Sequence, residues 1–256
     1  MRTTLLTALC VTMSLTGLPC AEEAVILMTA SYEPFVIDDT DSVRGAGIDI
    51  VRAAFQESGV DVEFRCVPWR RGQNAARNGT AFAAFPYVLT DERTAIFDFS
   101  SPVIGFSTKF FFMKENFPDG FDWEVLADLK PYRVGGIRGY WYESAFKAAG
   151  LNVYYVSSES QAIHLLRKGR IHLAALDEMN GLALIDDLFP ELRSAFGVAR
   201  KPQSTTPLRL MISRKYPRAA ELTTKFNDGL KAIVEKRTYH EILRNYGIPM
   251  EYAVSE

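Results

Sequence analysis

Residues 85–102 read FPYVLTDERTAIFDFSSP. An apolar run gives way to the polar turn Thr90-Asp91-Glu92-Arg93, and an aromatic segment then leads through Asp98, Phe99 and Ser100 to Pro102. Arg93 is the residue on which the reading turns. Its guanidinium offers donors in a rigid fork that matches a carboxylate bidentately. Taken alone, such a turn reads as an exposed loop arginine. Its surroundings change that.

On both sides of this stretch the hydrophobic period switches between that of strands and that of helices. Residues 25–29 form an apolar strand, 48–58 carry helical spacing at Ile48, Val51 and Phe55, and Gly59 stands where a left-handed cap is expected. Residues 60–67 alternate as a strand, Pro68-Trp69 opens a short helix ending near Asn78-Gly79, and 81–87 is a further strand. The pattern is β-α-β-α-β, a sheet covered by helices. A second such run follows. Residues 105–114 read as a long crossing strand, Asp122 as the cap of a helix through 129, and 133–136 as a strand. A helix runs to 149, residues 153–156 form a strand, and Ser158 caps a helix to 167. An apolar strand at 172–176 stops at Asp177-Glu178. Residues 201–207 form a connector, 208–213 a strand, 218–236 a long amphipathic helix and 239–246 a last helix.

Composition narrows the function. The chain has 256 residues, 48% hydrophobic and 23% charged, which suits a globular fold of one large or two small domains. A net charge of −2 without a basic block excludes a nucleic-acid footprint. Met1-Arg2, the uncharged run 5–18 and the small residues up to Ala21 have the layout of a secretory signal at 1–21. The run is shorter than the roughly 20 residues of a membrane span. With that segment removed Cys66 remains, joined by Cys20 if the cut falls earlier, so no internal disulfide framework is available. The three histidines are scattered and no metal spacing occurs, so no metal or cofactor is expected.

The order of motifs along the chain is YEPF at 32–35, GAGIDIVRAAF at 45–55, VEFRCVPW at 62–69, TDERTAIFDFSSP at 90–102, VGGIRG at 134–139, LLRKGRIHLAALDE at 165–178, and LRLMISRKYPRAAELTTKFNDG onward from 208. In that order they resemble the bacterial extracytoplasmic solute-binding proteins, family 3, the polar-amino-acid type serving ABC importers. The resemblance implies an α/β, two-lobed periplasmic-binding-protein-like fold (type II) with the ligand cleft between the lobes. Lobe 1 would be 24–103 plus 210–256 and lobe 2 would be 107–204, with hinge segments near 103–106 and 205–209. It implies a monomer in the periplasm that binds a small molecule and partners a membrane permease. No catalytic residue is expected.

The resemblance also suggests roles. Arg93 is similar to the arginine that holds a ligand α-carboxylate, and Asp177 to the acid that accepts its ammonium. Tyr32 and Trp69 match pocket aromatics. A zwitterion does need a cation and an anion on opposite walls, with aromatic faces to enclose its middle. Arg138 sits where a glycine-rich turn meets a helix and reads equally as anion site or exposed arginine. Arg71 reads equally toward cleft or solvent. The segment before the TxxR turn departs from the family, because Tyr87 supplies its only hydroxyl where small hydroxyl residues are usual. Tyr140-Trp141-Tyr142 is bulkier than the usual Thr or Ser, and His172 replaces an acid. These changes imply a smaller, more aromatic pocket. A secreted cyclohexadienyl dehydratase would use the same scaffold, with Arg93, Arg138 and Arg71 on carboxylates and Glu33, Asp177 or Glu178 as acid. A free-standing sensor is a third reading.

Overall fold

The computed structural model describes residues 24–39 and 42–254. The secretory signal expected at 1–21 lies outside them. Strand β1 (Val25–Thr29) is followed by the short pair β2 (Ile37–Asp38) and β3 (Val43–Arg44), then by helix α1 (Ala46–Glu57). Next come β4 (Val62–Cys66), α2 (Trp69–Asn78), β5 (Ala83–Val88), the single-turn helix α3 (Asp91–Thr94) and β6 (Asp98–Phe99). The second run contains β7 (Thr108–Met113), β8 (Arg133–Ile137), α4 (Glu143–Ala148), β9 (Asn152–Val156), α5 (Glu159–Arg167), β10 (Leu173–Asp177), α6 (Glu178–Leu188) and β11 (Phe196–Val198). The chain closes with β12 (Leu208–Ile212), α7 (Ala219–Glu235) and α8 (Thr238–Asn245).

Two five-stranded sheets result, in the orders β4-β1-β5-β12-β6 and β11-β7-β10-β8-β9. In each, three strands run parallel and the rest pair antiparallel. Every residue of β5 is buried, as a central strand covered on both faces requires, whereas β4 alternates at the sheet edge. Two chain segments pass between the sheets side by side. They are joined by antiparallel bridges at Ile104–Leu208 and Thr108–Ser204, with Leu208 N donating to Ile104 O at 2.7 Å and Thr108 N to Ser204 O at 2.9 Å.

The first core packs α1, α7 and α8 on the first sheet around Phe35, Phe55, Phe85 and Phe226. Helices α1 and α7 approach so closely that a Cβ on Gly229 would lie 1.9 Å from the Ala54 carbonyl oxygen. The second sheet is covered on both faces, by Phe111, Ile163 and Leu166 on one and by Phe110, Phe146 and Tyr142 on the other. The fully buried Tyr142 hydroxyl accepts from Ile137 N at 2.9 Å and donates to Ala175 O at 3.1 Å. Tyr142→Phe leaves both partners unpaired in the core and is expected to cost about 1–3 kcal/mol, measured by denaturant unfolding. A loss below about 0.5 kcal/mol would show that those groups find other partners.

Two local expectations are corrected. Residues 122–129 form no α-helix, only a 3₁₀ turn at Leu126–Leu129. The Asp128 carboxylate accepts from Glu124 N and Val125 N, both at 2.9 Å, and this local bonding competes with helix propagation. The strand expected from 105 begins only at Thr108, because the preceding residues form the crossing segment.

Candidate functional site

Thr90 caps helix α3, its side-chain oxygen accepting from Arg93 N at 3.3 Å. This cap turns the Arg93 side chain back beneath β5. Its Nη1 donates to Val88 O at 2.7 Å, and its Nη2 reaches the second sheet's turn at Gly139 O, 3.1 Å away. Among the described residues, Nε and one N–H on each terminal nitrogen have no partner. The guanidinium lies over the Tyr87 ring at 5.1 Å, a cation–π contact. Burial draws the Arg93 pKa below its ordinary value, while a guanidinium stays charged at any physiological pH.

Arg93 lines a cavity of about 40 Å³ together with Tyr32, Trp69, Tyr87, Tyr140 and Trp141. Trp69 stands at its centre, edge-on to Tyr32 at 5.7 Å, to Tyr87 at 5.6 Å and to Tyr140 at 6.3 Å. The Tyr87 hydroxyl donates to Trp69 O at 2.9 Å, so it braces α2 rather than facing the cavity. The buried indole N–H of Trp141 has no hydrogen-bond partner among the described residues.

A larger chamber, about 640 Å³, also borders Trp69 and includes Arg70, Arg138, Glu143, Ser158 and Glu159 in its lining. Both spaces share Trp69, Gln73 and Gly139. Glu159 begins α5 after the Ser158 cap and is only 7% exposed. Its carboxylate accepts from the Tyr140 hydroxyl, and burial pushes its pKa up to about 7.

Five residues singled out in the sequence, Tyr32, Trp69, Tyr87, Arg93 and Tyr140, meet at the small cavity, and Arg138 joins the chamber beside it. Two do not. Arg71 is exposed and lines neither space. Consecutive helical residues differ by about 100° around the axis, so it is Arg70 of α2 that faces the chamber. Asp177 is 2% exposed and also lines neither. It caps α6, accepting from Asn180 N at 2.9 Å, and it accepts from Ser107 N at 3.2 Å. Burial pushes its pKa up to about 7 as well. Sequence reasoning missed Glu159, Gln73 and Arg70. Gln73 stands four residues from Trp69 on α2, a helical spacing that could have placed it. Nothing in the sequence marks Glu159 as buried.

Both raised carboxyls bear on stability in the same direction. Their ordinary pKa values lie near 4, so between about pH 4 and pH 7 the folded chain binds more protons than the unfolded one. Stability from these groups is full below that window and is lost as pH rises through about 7. The melting temperature is expected to fall between pH 5.5 and pH 8, and Glu159→Gln should flatten the slope. A slope identical in the variant would overturn the assignment for Glu159.

Comparison with known proteins places this architecture. The family model described as bacterial extracellular solute-binding proteins, family 3, matches residues 24–249. The chain belongs to that family. No curated protein sequence matches it. Among solved structures, this chain resembles an ancestral arginine-binding protein bound to arginine, with 23% identity, TM-score 0.74, and coverage of 88% of this chain and 98% of the other. A histidine kinase sensor domain with similarity to periplasmic binding proteins aligns at 18% identity and TM-score 0.76, covering 88% and 96%. An ancestral amino-acid-binding protein, a precursor of cyclohexadienyl dehydratase, aligns at 23% identity and TM-score 0.71, covering 87% and 94%. At these identities the likeness shows that the family 3 member shares their fold. Among the described residues no helix is long and apolar enough to cross a membrane, and no cluster of His, Cys, Asp and Glu could hold a metal ion.

Proposed function

We propose that the chain is a periplasmic solute-binding protein that captures a small polar solute, an amino acid or a related carboxylate, for the permease of an ABC importer. The observation that carries this reading is the meeting of Arg93 with Trp69, Tyr87 and Tyr140 at one cavity where the two sheets face each other. A forked cation enclosed by aromatic faces is suited to a carboxylate on a small organic body. The lobes would be 24–103 plus 210–256 and 107–204, with hinges near 103–106 and 205–209, and the monomer would close on its solute about the paired crossing segments.

Native mass spectrometry of the purified mature protein is expected to find a co-purified small molecule. A thermal-shift screen of amino acids, polyamines and organic acids should return a saturable hit. Incubation with prephenate or arogenate should give no aromatic product. Turnover of either would replace solute capture with catalysis, and absence of any retained or stabilising molecule would defeat the reading.

A further inference from the structure

Helix α2, packed on the first sheet, and the turn after β8 of the second sheet border the same chamber. Each brings an arginine to its lining, Arg70 from α2 and Arg138 from the turn. Neither has an acidic partner. Arg70 makes no hydrogen bond or ion pair among the described residues, and Arg138 makes only a long bond, 3.5 Å, from Nη2 to Tyr155 O. Two acids also line the chamber, and both are engaged within the second body. Glu143 accepts from Gly139 N at 2.8 Å, and Glu159 accepts from the Tyr140 hydroxyl. Burial pushes the Glu159 pKa up to about 7, so its charge is partly quenched at neutral pH. The two guanidinium groups are left uncompensated.

Two like charges that border one space repel each other, and an anion between them turns that repulsion into attraction. Guanidinium groups suit the task, because each grips a carboxylate or a phosphate through paired donors. The chamber, about 640 Å³, falls within the roughly 300–1,000 Å³ of small-molecule sites. It shares Trp69, Gln73 and Gly139 with the small cavity that Arg93 lines. Asp177, the acid expected to meet a solute ammonium, lines neither space and gives its oxygens to Asn180 N and Ser107 N. We propose that the chamber is a second anion site, in which Arg70 and Arg138 grip an oxyanion of the solute from opposite sheets. The solute class that follows is a diacid. Its first acidic group lies at Arg93, and its second, a carboxylate or a phosphate, lies in the chamber. An amino group on such a solute is dispensable, and selectivity rests on the second acid. The inference rests on the solute-binding reading above.

The test titrates the mature protein calorimetrically with succinate, glutarate, adipate and phosphoglycolate, each beside its monoacid counterpart (butyrate, valerate, hexanoate and glycolate). The panel adds the α-amino dicarboxylates L-aspartate, L-glutamate and L-α-aminoadipate, and the neutral and basic L-amino acids. At least one diacid is expected to bind, with its monoacid weaker by tenfold or more. For a dicarboxylate, the α-amino derivative should bind within threefold of it. Arg70→Gln and Arg138→Gln should each weaken the diacid tenfold or more, bringing it toward its monoacid. Both side chains are exposed, so the variants should melt with the parent. Four outcomes would overturn the second anion site and leave solute capture standing. They are a monoacid bound as tightly as its diacid, an α-amino derivative bound more than tenfold tighter than its dicarboxylate, neutral or basic amino acids as the sole binders, and an affinity within twofold of the parent in either arginine variant. A parent protein that binds nothing in the panel would overturn it too, and the co-purified molecule sought by native mass spectrometry then decides solute capture separately.

Discussion

Arg93→Ala is expected to abolish the solute-induced thermal shift and to weaken binding at least 100-fold. Each charge-assisted hydrogen bond to a buried carboxylate contributes roughly 1.5–3 kcal/mol, so losing a bidentate pair removes about 3 kcal/mol or more, and every 1.4 kcal/mol is about tenfold in affinity. The uncommitted N–H groups of Arg93 are what make the bidentate grip available while Val88 O and Gly139 O hold the other two. Arg93→Lys keeps the charge and loses the fork, and should fall between the parent and the alanine variant. The protein without Arg93 should still fold, because the Arg93 side chain itself lies outside the hydrophobic cores. Calorimetry against the solute recovered by mass spectrometry reads the effect directly. An affinity within threefold of the parent would show that Arg93 joins the sheets and does not touch the solute.

The second large effect concerns the first core. Gly229→Ala places a methyl group 1.9 Å from the Ala54 carbonyl oxygen and 2.8 Å from its carbon. The obstruction is backbone, so no rotamer change relieves it and α1 and α7 must separate. The bond from Ser58 Oγ to Lys225 O, 2.6 Å long, joins the same two helices and would stretch with them. Overpacking of this kind costs about 3 kcal/mol or more, against which the better helix propensity of alanine returns about 1 kcal/mol. The net loss of about 2 kcal/mol lowers the melting temperature by about 4–8 °C for a chain of this size. Gly229→Leu should yield no folded protein. An alanine variant that melts with the parent would mean that the helices slide apart at no cost.

The order of strands and helices was legible because both hydrophobic periods are strong and glycines punctuate them. Gly59, Gly79 and Gly169 all adopt the left-handed geometry that ends a helix. The cleft was half legible. Arg93, Tyr32 and Trp69 sit in short motifs whose order along the chain carried them, and the cavity gathers them. What escaped depends on rotation and depth. Arg70 and Arg71 are chemically identical neighbours, and only the phase of α2 decides which one meets the chamber. Glu159 reads as an ordinary first-turn acid after a serine cap, and its buried partner, the Tyr140 hydroxyl, comes from outside its helix. Asp177 could be read as cap or ligand acid, and the structure finds its oxygens on backbone donors.

The position of β12 sets an order of assembly. All five strands of the second sheet come from a continuous stretch, from Thr108 to Val198. That sheet can pair as soon as its own residues are available. The first sheet cannot, because β12 lies between β5 and β6, and α7 and α8 complete its core only from the last part of the chain. Until Leu208–Ile212 arrive, β5 presents an open edge whose every residue is apolar or buried in the finished fold. Such late, long-range pairing is slow and exposes hydrophobic surface while it waits. A newly made chain therefore cannot complete its first sheet until nearly all of it is present, and until then the open β5 edge is vulnerable to proteases and to self-association.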